Sequence, residues 1–557
     1  MVRSLRDEPV LVLDCQATGA SPAHGHLLEL GWCVLPCADA PATASSTVVA
    51  LPPGAEIPGI VRALTGLVPE DLAGAPTAAS AWAQLCAAAA PGTPAIVHFA
   101  RFEQSFLGPL HAELAPQQPF PFELLCTHEI GRRLLPGLPR MGLRALAGYF
   151  GHGEGELRRS GAHVLATAFV WRHLVAALAE HGVDTLASLR AWLQREPTRA
   201  RKREYPMPRE RRLQLPDRPG VYRMLRHGGD VLYVGKARSL RRRVNTYFQK
   251  QHGIPERTLQ LLSQARDLDV TVVATPLEAA LLEADEIKRL DPPFNVALKA
   301  SGRAAWFADA GLTEVVAAGD AGHREGPLGS AWPLRRIAAL REGLAIAEDP
   351  EQAAARQQAL RLALGRPDAT LLDDATLGAG VAAFVRERGV VALDRAALLR
   401  LGAQLWREHR AAVASATRDD DEALDEPEAA EEAPAAIERP WTAPDVAAAL
   451  ADSVRALAHA VRRAALLRAL ADATVAFVDD GIARTLVLAG GVVVATEPGP
   501  AHPRRDDAAL DLPAYDRLRV LATELRRVLD QGGLALVRSA HARPLGGARL
   551  RRALEWI

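Results

Sequence analysis

Residues 220–235, GVYRMLRHGGDVLYVG, constrain this chain more tightly than any other stretch. Two short β-prone runs, Gly220-Val221-Tyr222 and Leu232-Tyr233-Val234-Gly235, flank His227-Gly228-Gly229-Asp230, a composition suited to tight reversal. The stretch predicts a hairpin. Alternation along each strand lets Tyr222 and Tyr233, two of only six tyrosines, project near each other from the sheet. KARSLRRRVNTYF follows with helical character, and Arg243 and Tyr247, four apart, share a helical face. PLEAALLEADEIKRL (276–290) reads as an amphipathic helix carrying Glu283, ended by Asp291-Pro292-Pro293, with Asn295 in the exit loop.

Together with Lys236 these residues supply phenols, an ammonium, a guanidinium, a carboxylate and an amide. That set suits attack of water on a phosphodiester. One carboxylate can hold a hydrated divalent ion, with waters and phosphate at the other positions. The ion and Arg243 can offset charge that grows on the phosphorus oxygens. A tyrosine near an ammonium and a metal is expected to lose its proton more easily than its reference pKa of about 10 implies.

GVY…YVG, followed by Lys236, Arg243, Tyr247, Glu283 and Asn295, resembles the GIY-YIG nuclease superfamily. More narrowly, PGVY, LYVGKA, Arg243 to Tyr247, Leu282-Glu283-Ala284, Ile287-Lys288 and Pro293-Phe294-Asn295 are similar to the N-terminal module of the bacterial excinuclease C subunit and its short homologue. The resemblance covers residues 215–300. It implies Tyr233 as general base, Glu283 as ligand of one Mg²⁺ or Mn²⁺, and Arg243 as phosphate clamp. Tyr222, Lys236, Tyr247 and Asn295 would position water and phosphate. After residue 300 the partner-binding hairpin, second nuclease and helix-hairpin-helix motifs of that subunit are not recognisable. Only its first incision, 3′ to a lesion, is then expected.

LVLDCQATG (11–19), IVHFARFEQSFL (96–107) and RRSGAHVLATAFVW (158–171) resemble, in order, the motifs of the DEDD exonucleases, the family of the epsilon subunit of DNA polymerase III. The resemblance implies a ribonuclease-H-like fold and four acids binding two ions. Here Asp14 is retained, Gln16 replaces a Glu, Glu103 and His163 stand where two Asp are usual, and Arg158 takes the place of the general-base His. Two carboxylates beside a guanidinium match the four charges of two cations poorly. A single ion on Asp14, Glu103 and His163 is the remaining metal option. A fold retained for contact with DNA or a partner, without cutting, is the expectation.

At 557 residues the chain exceeds one core; ~100–200 residues per domain gives three or four. The expected fold class is multidomain α/β. Residues 1–190 form the exonuclease-like domain, 191–215 a basic linker, and 216–300 the nuclease domain. A helical region of unknown role spans 301–417, an acidic low-complexity linker 418–440, and an α/β accessory region with a hairpin at 474–495 fills 441–557. Net charge is zero, but residues 201–300 hold 20 Lys/Arg against 12 Asp/Glu. That excess points to DNA, with Arg201, Lys202, Arg203, Arg211, Arg212, Arg238, Arg241 and Arg242 as candidate phosphate contacts and Tyr205 as a base-stacking ring. Five cysteines without paired metal-ligand spacing read as reduced thiols. The first residues lack a signal-peptide core and no run reaches ~18 uninterrupted apolar residues, so a soluble cytoplasmic protein is expected.

Three functions compete. The first is a metal-dependent endonuclease of nucleotide excision repair, recruited by the damage-loading helicase subunit. The second is a repair-independent nuclease acting on branched DNA. The third is a DNA-binding scaffold whose nuclease domains are both vestigial.

Overall fold

The computed structural model describes residues 3–153, 157–196, 202–249, 253–299, 303–345, 350–365, 371–390, 393–416, 439–496, 510–539 and 543–557. Arg201 and almost all of the expected acidic linker lie outside them. The protein is multidomain α/β, with four sheets among the described residues and a largely helical C-terminal half.

The first sheet holds β1 (Val10–Ala17), β2 (Leu27–Leu35), β3 (Ser45–Val48), β4 (Pro94–Val97) and β5 (Glu123–Cys126), in the order β3-β2-β1-β4-β5. β1 runs antiparallel to β2 and parallel to β4, the mixed arrangement expected of a ribonuclease-H-like fold. Both faces are covered. Val10 and Val12 pack toward the helix Ser160–Glu180 through Val164, Trp171 and Leu174, while Leu11 and Leu13 pack toward Phe106 and Leu107 of the helix Ala100–Leu114. Strand alternation alone produces that division. Ser160–Glu180 is also long and apolar enough, by length and composition, to cross a membrane; half of that stretch is buried inside the protein.

The second sheet is β6 (Gly220–Leu225), β7 (Val231–Ala237) and β8 (Asp267–Val272), ordered β7-β6-β8 and antiparallel throughout. The predicted hairpin is therefore present. Helix Pro276–Leu290 covers one face, with Ile287 packed on Val221 and Val234. Its start is locally encoded: Thr275 and Glu278 form a reciprocal capping box and Pro276 takes the first turn. Buried Arg223 of β6 fastens the same helix through an ion pair with Glu286, itself buried.

The basic segment before the hairpin departs from the linker expectation. Met207 and Leu215 are buried in the core of the hairpin sheet, and Tyr205 packs edge-on against Phe248 at 4.9 Å. Apolar residues spaced among the arginines were enough to fold it onto the domain. The segment is tied to the exonuclease-like fold by Glu204 N–H donating to Gly137 C=O, and Arg266, just before β8, donates to Tyr149 C=O.

Beyond residue 300, β9 (Trp306–Ala308), β10 (Val315–Val316) and β11 (Glu325–Leu328) form a small sheet. The expected hairpin at 474–495 is there, and it belongs to a five-stranded sheet. That sheet comprises β12 (Ala473–Asp479), β13 (Ile482–Ala489), β14 (Val492–Ala495), β15 (Leu534–Ser539) and β16 (Leu545–Gly546), in the order β14-β13-β12-β15-β16. The boundary expected at 418–440 does not separate two packing units. Helix Ala443–Ala471 contributes Val446, Leu450 and Val454 to the core of residues 308–405, and Leu466, Leu467 and Leu470 to that of the last sheet. One 29-residue helix spans both.

Candidate active site

β7 is an edge strand, so alternate N–H groups along it point away from β6 and need acceptors. Two sequence-predicted site residues supply them. Glu283 Oε1 accepts from Lys236 N–H at 2.8 Å, and Asn295 Oδ1 accepts from Val234 N–H at 2.9 Å while its Nδ2 donates to Val234 C=O at 2.9 Å. The strand edge thereby fixes Glu283. Asn295, expected to position phosphate, instead has its amide engaged with β7 on both sides.

On the other face three phenols converge. Tyr222 pairs with Gly235 and Tyr233 with Met224, so the two tyrosines are diagonal neighbours on one face. Their ring centroids are 6.1 Å apart, and Tyr247 lies 6.3 Å from Tyr222 and 6.5 Å from Tyr233. The Tyr222 and Tyr247 hydroxyls share a hydrogen bond of 2.8 Å. A Cβ on Gly235 would stand 2.5 Å from the Tyr222 hydroxyl oxygen, which is why only glycine serves there. Arg243 projects from the helix Leu240–Gln249 with its guanidinium 5.3 Å from the Tyr247 ring centre. Lys236 Nζ is 3.9 Å from Glu283 Oε2.

The protein's own groups set the charge state of the phenols. Burial pushes the Tyr233 phenol well above its ordinary value, reinforced by Tyr247 and Glu283 and opposed by Arg243. Tyr222, fully buried, is raised as well, again chiefly by burial. Neither phenol is easily ionised in this setting. Among the protein's own groups, Arg243 lowers both phenols and is outweighed by desolvation.

Several of the candidate phosphate contacts have surface partners within the protein. Arg211 pairs with Asp267 at 2.7 Å, Arg242 with Asp217 at 3.3 Å, and Arg238 donates to Gln531 at 2.8 Å. Arg212 bonds Asn245 and lies 4.3 Å over the Phe248 ring. Arg241 and Lys202 are exposed and Arg203 is half-buried.

The exonuclease-like site assembles differently. His163 Nδ1 is 3.2 Å from Asp14 Oδ1, and Gln16 Nε2 donates to the Arg158 carbonyl at 2.8 Å, while the Arg158 side chain is exposed. Burial drives His163 down, but the hydrogen bond and charge of Asp14 outweigh it and hold the imidazole above its ordinary value. Glu103 is 2% exposed and pushed up to about 9 by burial and then by Asp14. Asp14 Oδ2, Gln16 Oε1 and Glu103 Oε2 are buried without hydrogen-bond partners. Even so, among the described residues no three His, Cys, Asp or Glu gather as a metal-holding group. The donor set does not fit two divalent ions.

Sequence reading missed one carboxylate here. Glu29, opposite Gln16 on β2 and 1% exposed, is clasped by Arg159 at 2.9–3.1 Å and by Ser160 N–H at 2.9 Å. Strand pairing is its only signal.

Residues 218–296 match the family model for the UvrC-like GIY-YIG domain. UvrABC system protein C of Sphingopyxis alaskensis is 52% identical over 85 residues, 15% of this chain and 13% of that protein. A putative bifunctional exonuclease/endonuclease protein, MT2247 of Mycobacterium tuberculosis, is 31% identical over 314 residues, 55% of this chain and 47% of that one. The chain thus matches less than half the length of these relatives. Among solved structures, the N-terminal endonuclease domain of UvrC from Thermotoga maritima, bound to magnesium, is 35% identical with a TM-score of 0.15; the match covers 16% of this chain and 94% of that one. The chain carries a UvrC-like GIY-YIG domain together with an exonuclease-like region.

Proposed function

We propose that this protein is a metal-dependent DNA endonuclease of the cytoplasm that cuts a phosphodiester bond on the 3′ side of a lesion during nucleotide excision repair. The observation that carries the reading is the pairing of three convergent phenols and Arg243 with a glutamate fixed at the edge of β7. A lone carboxylate fits a hydrated Mg²⁺ or Mn²⁺, which keeps most of its waters and takes phosphate oxygen. Glu283 would hold that ion, which when bound supplies positive charge to the phosphate and acidity to a water.

The chain's own residues do the rest. Arg243 clamps the phosphate and offsets charge developing on its oxygens. Tyr247, its hydroxyl held by buried Tyr222, orients the attacking water, and Tyr233 accepts its proton. Because the Tyr233 phenol is raised, its basic form is scarce at neutral pH and grows as pH rises. Asn295 keeps β7 in register with the Glu283 helix. The exonuclease-like region retains its fold for contact with DNA. Exonuclease action is lost there, a reading supported by Gln16, by the His163–Asp14 pair and by the neutral Glu103.

The test is an end-labelled duplex carrying one bulky lesion, incubated with Mg²⁺ with and without the damage-loading helicase subunit. A single nick 3′ to the lesion that requires the helicase is expected. Helicase-independent cutting of flaps or branches in preference to the lesion would overturn the repair assignment and leave a structure-specific nuclease.

A further inference from the structure

The C-terminal half carries no recognisable catalytic motif, yet one of its helices reaches the nuclease site. Helix Leu512–Asp530 packs along the helix that bears Glu283, with Leu518, Leu521 and Leu525 sharing a core with Leu277 and Leu281. Polar contacts flank this seam. Arg517 pairs with Asp285 at 2.7 Å, and buried Asp516 holds Lys288.

At the end nearest β7 the seam continues as a chain of charges. Asp479, buried at the end of β12, accepts from the Leu277 N–H at 3.2 Å and from both terminal nitrogens of Arg527 at 2.8 and 3.1 Å. Arg527 Nε donates to Glu524 Oε2. Glu524, 7% exposed, accepts on Oε1 from Lys236 Nζ at 3.0 Å. Lys236 Nζ is at the same time 3.9 Å from Glu283 Oε2. The ammonium thus sits between two carboxylates and is hydrogen-bonded to the one from the C-terminal half.

We propose that Glu524 is a positioning residue of the nuclease site. By gripping the Lys236 ammonium it stops that group from closing onto Glu283, and so keeps the glutamate available to a divalent cation. Coulomb attraction grows as separation falls. An ungripped ammonium already 3.9 Å away would settle on Glu283 and compete with the cation for it. Glu524 is itself rigid, because Arg527 is locked by Asp479. This inference rests on the nuclease reading of Glu283 and gives the last half of the chain a part in that chemistry.

The experiment is calorimetric titration of Mg²⁺ into the full chain without DNA, alongside the Mg²⁺ dependence of plasmid nicking. The proteins are wild type, Glu524→Gln, Glu524→Asp, Lys236→Ala, Glu524→Gln/Lys236→Ala and Glu283→Ala. Glu524→Gln should weaken Mg²⁺ binding about tenfold, the scale of coupling between charges in contact. In the Lys236→Ala background the same substitution should change binding by less than about twofold. Glu524→Asp keeps the charge but shortens the reach, so it should behave like Glu524→Gln; it also serves if the glutamine variant does not fold. Equal weakening with and without Lys236, or no weakening at all, would overturn the proposal while the nuclease reading stood. Retained Mg²⁺ binding and nicking in Glu283→Ala would overturn both.

Discussion

Glu283 and Glu103 are both helix carboxylates beside strands that carry nuclease motifs, and the protein treats them in opposite ways. Glu283 receives a backbone N–H from an edge strand and is only partly buried, beside an ammonium that is gripped from elsewhere. Glu103 is almost wholly enclosed, one of its oxygens has no donor, and its proton is held up to about 9. Asp14, next to it, answers to His163. A carboxylate serves a cation when it is fixed by a donor and open to water. A carboxylate buried without a donor becomes a neutral acid. By that criterion the central site suits the chemistry proposed for it better than the N-terminal site does.

The comparison can be broken by substitution. Arg243→Ala should lower nicking about 10²–10³-fold, as loss of a group aimed at developing charge does, with little change in the melting temperature. The equivalent cut at the other site, Arg158→Ala, should leave nicking unchanged. Tyr233→Phe should cost about 10²-fold, within the range for general acid–base catalysis. The pH profile sharpens this: wild-type nicking should rise about tenfold per pH unit from 6 to 9 without a plateau, since the phenol titrates above its usual value. The phenylalanine variant should flatten that slope.

Glu103→Gln gives the smallest effect, and it is on stability. The folded carboxyl binds its proton up to about pH 9, while the unfolded one releases it near pH 4.5, so stability falls as pH rises between these values. The amide removes that dependence, worth roughly 5 kcal/mol at pH 8 by linkage alone; the cost of burying its own unpaired N–H groups offsets about half of this, so a net stabilisation of about 2 kcal/mol in chelator is expected, measured by urea unfolding. Destabilisation instead would mean that the carboxylate is ionised and partnered.

Where function was legible in the sequence, the signals were local. The hairpin glycines lie between the two strands they join, and the Glu283 helix occupies the span read for it from its own periodicity. Short strands with weak alternation were missed, such as β3, half-exposed at Ser45–Val48, and β5. So was the packing of residues 202–215, because arginines mask the apolar positions between them. Lys236 and Glu524 are 288 residues apart, and Glu29 meets Arg159 across 130. Such pairs leave no local pattern, because only the folded chain brings them together.

The most direct measurement sets Glu283→Ala beside Asp14→Ala on one end-labelled duplex with Mg²⁺, resolving nicked strands from released mononucleotides. The account predicts that Glu283→Ala abolishes nicking, that Asp14→Ala nicks like wild type, and that no protein releases mononucleotides. Mononucleotide release lost only in Asp14→Ala, or nicking that survives Glu283→Ala, would contradict it.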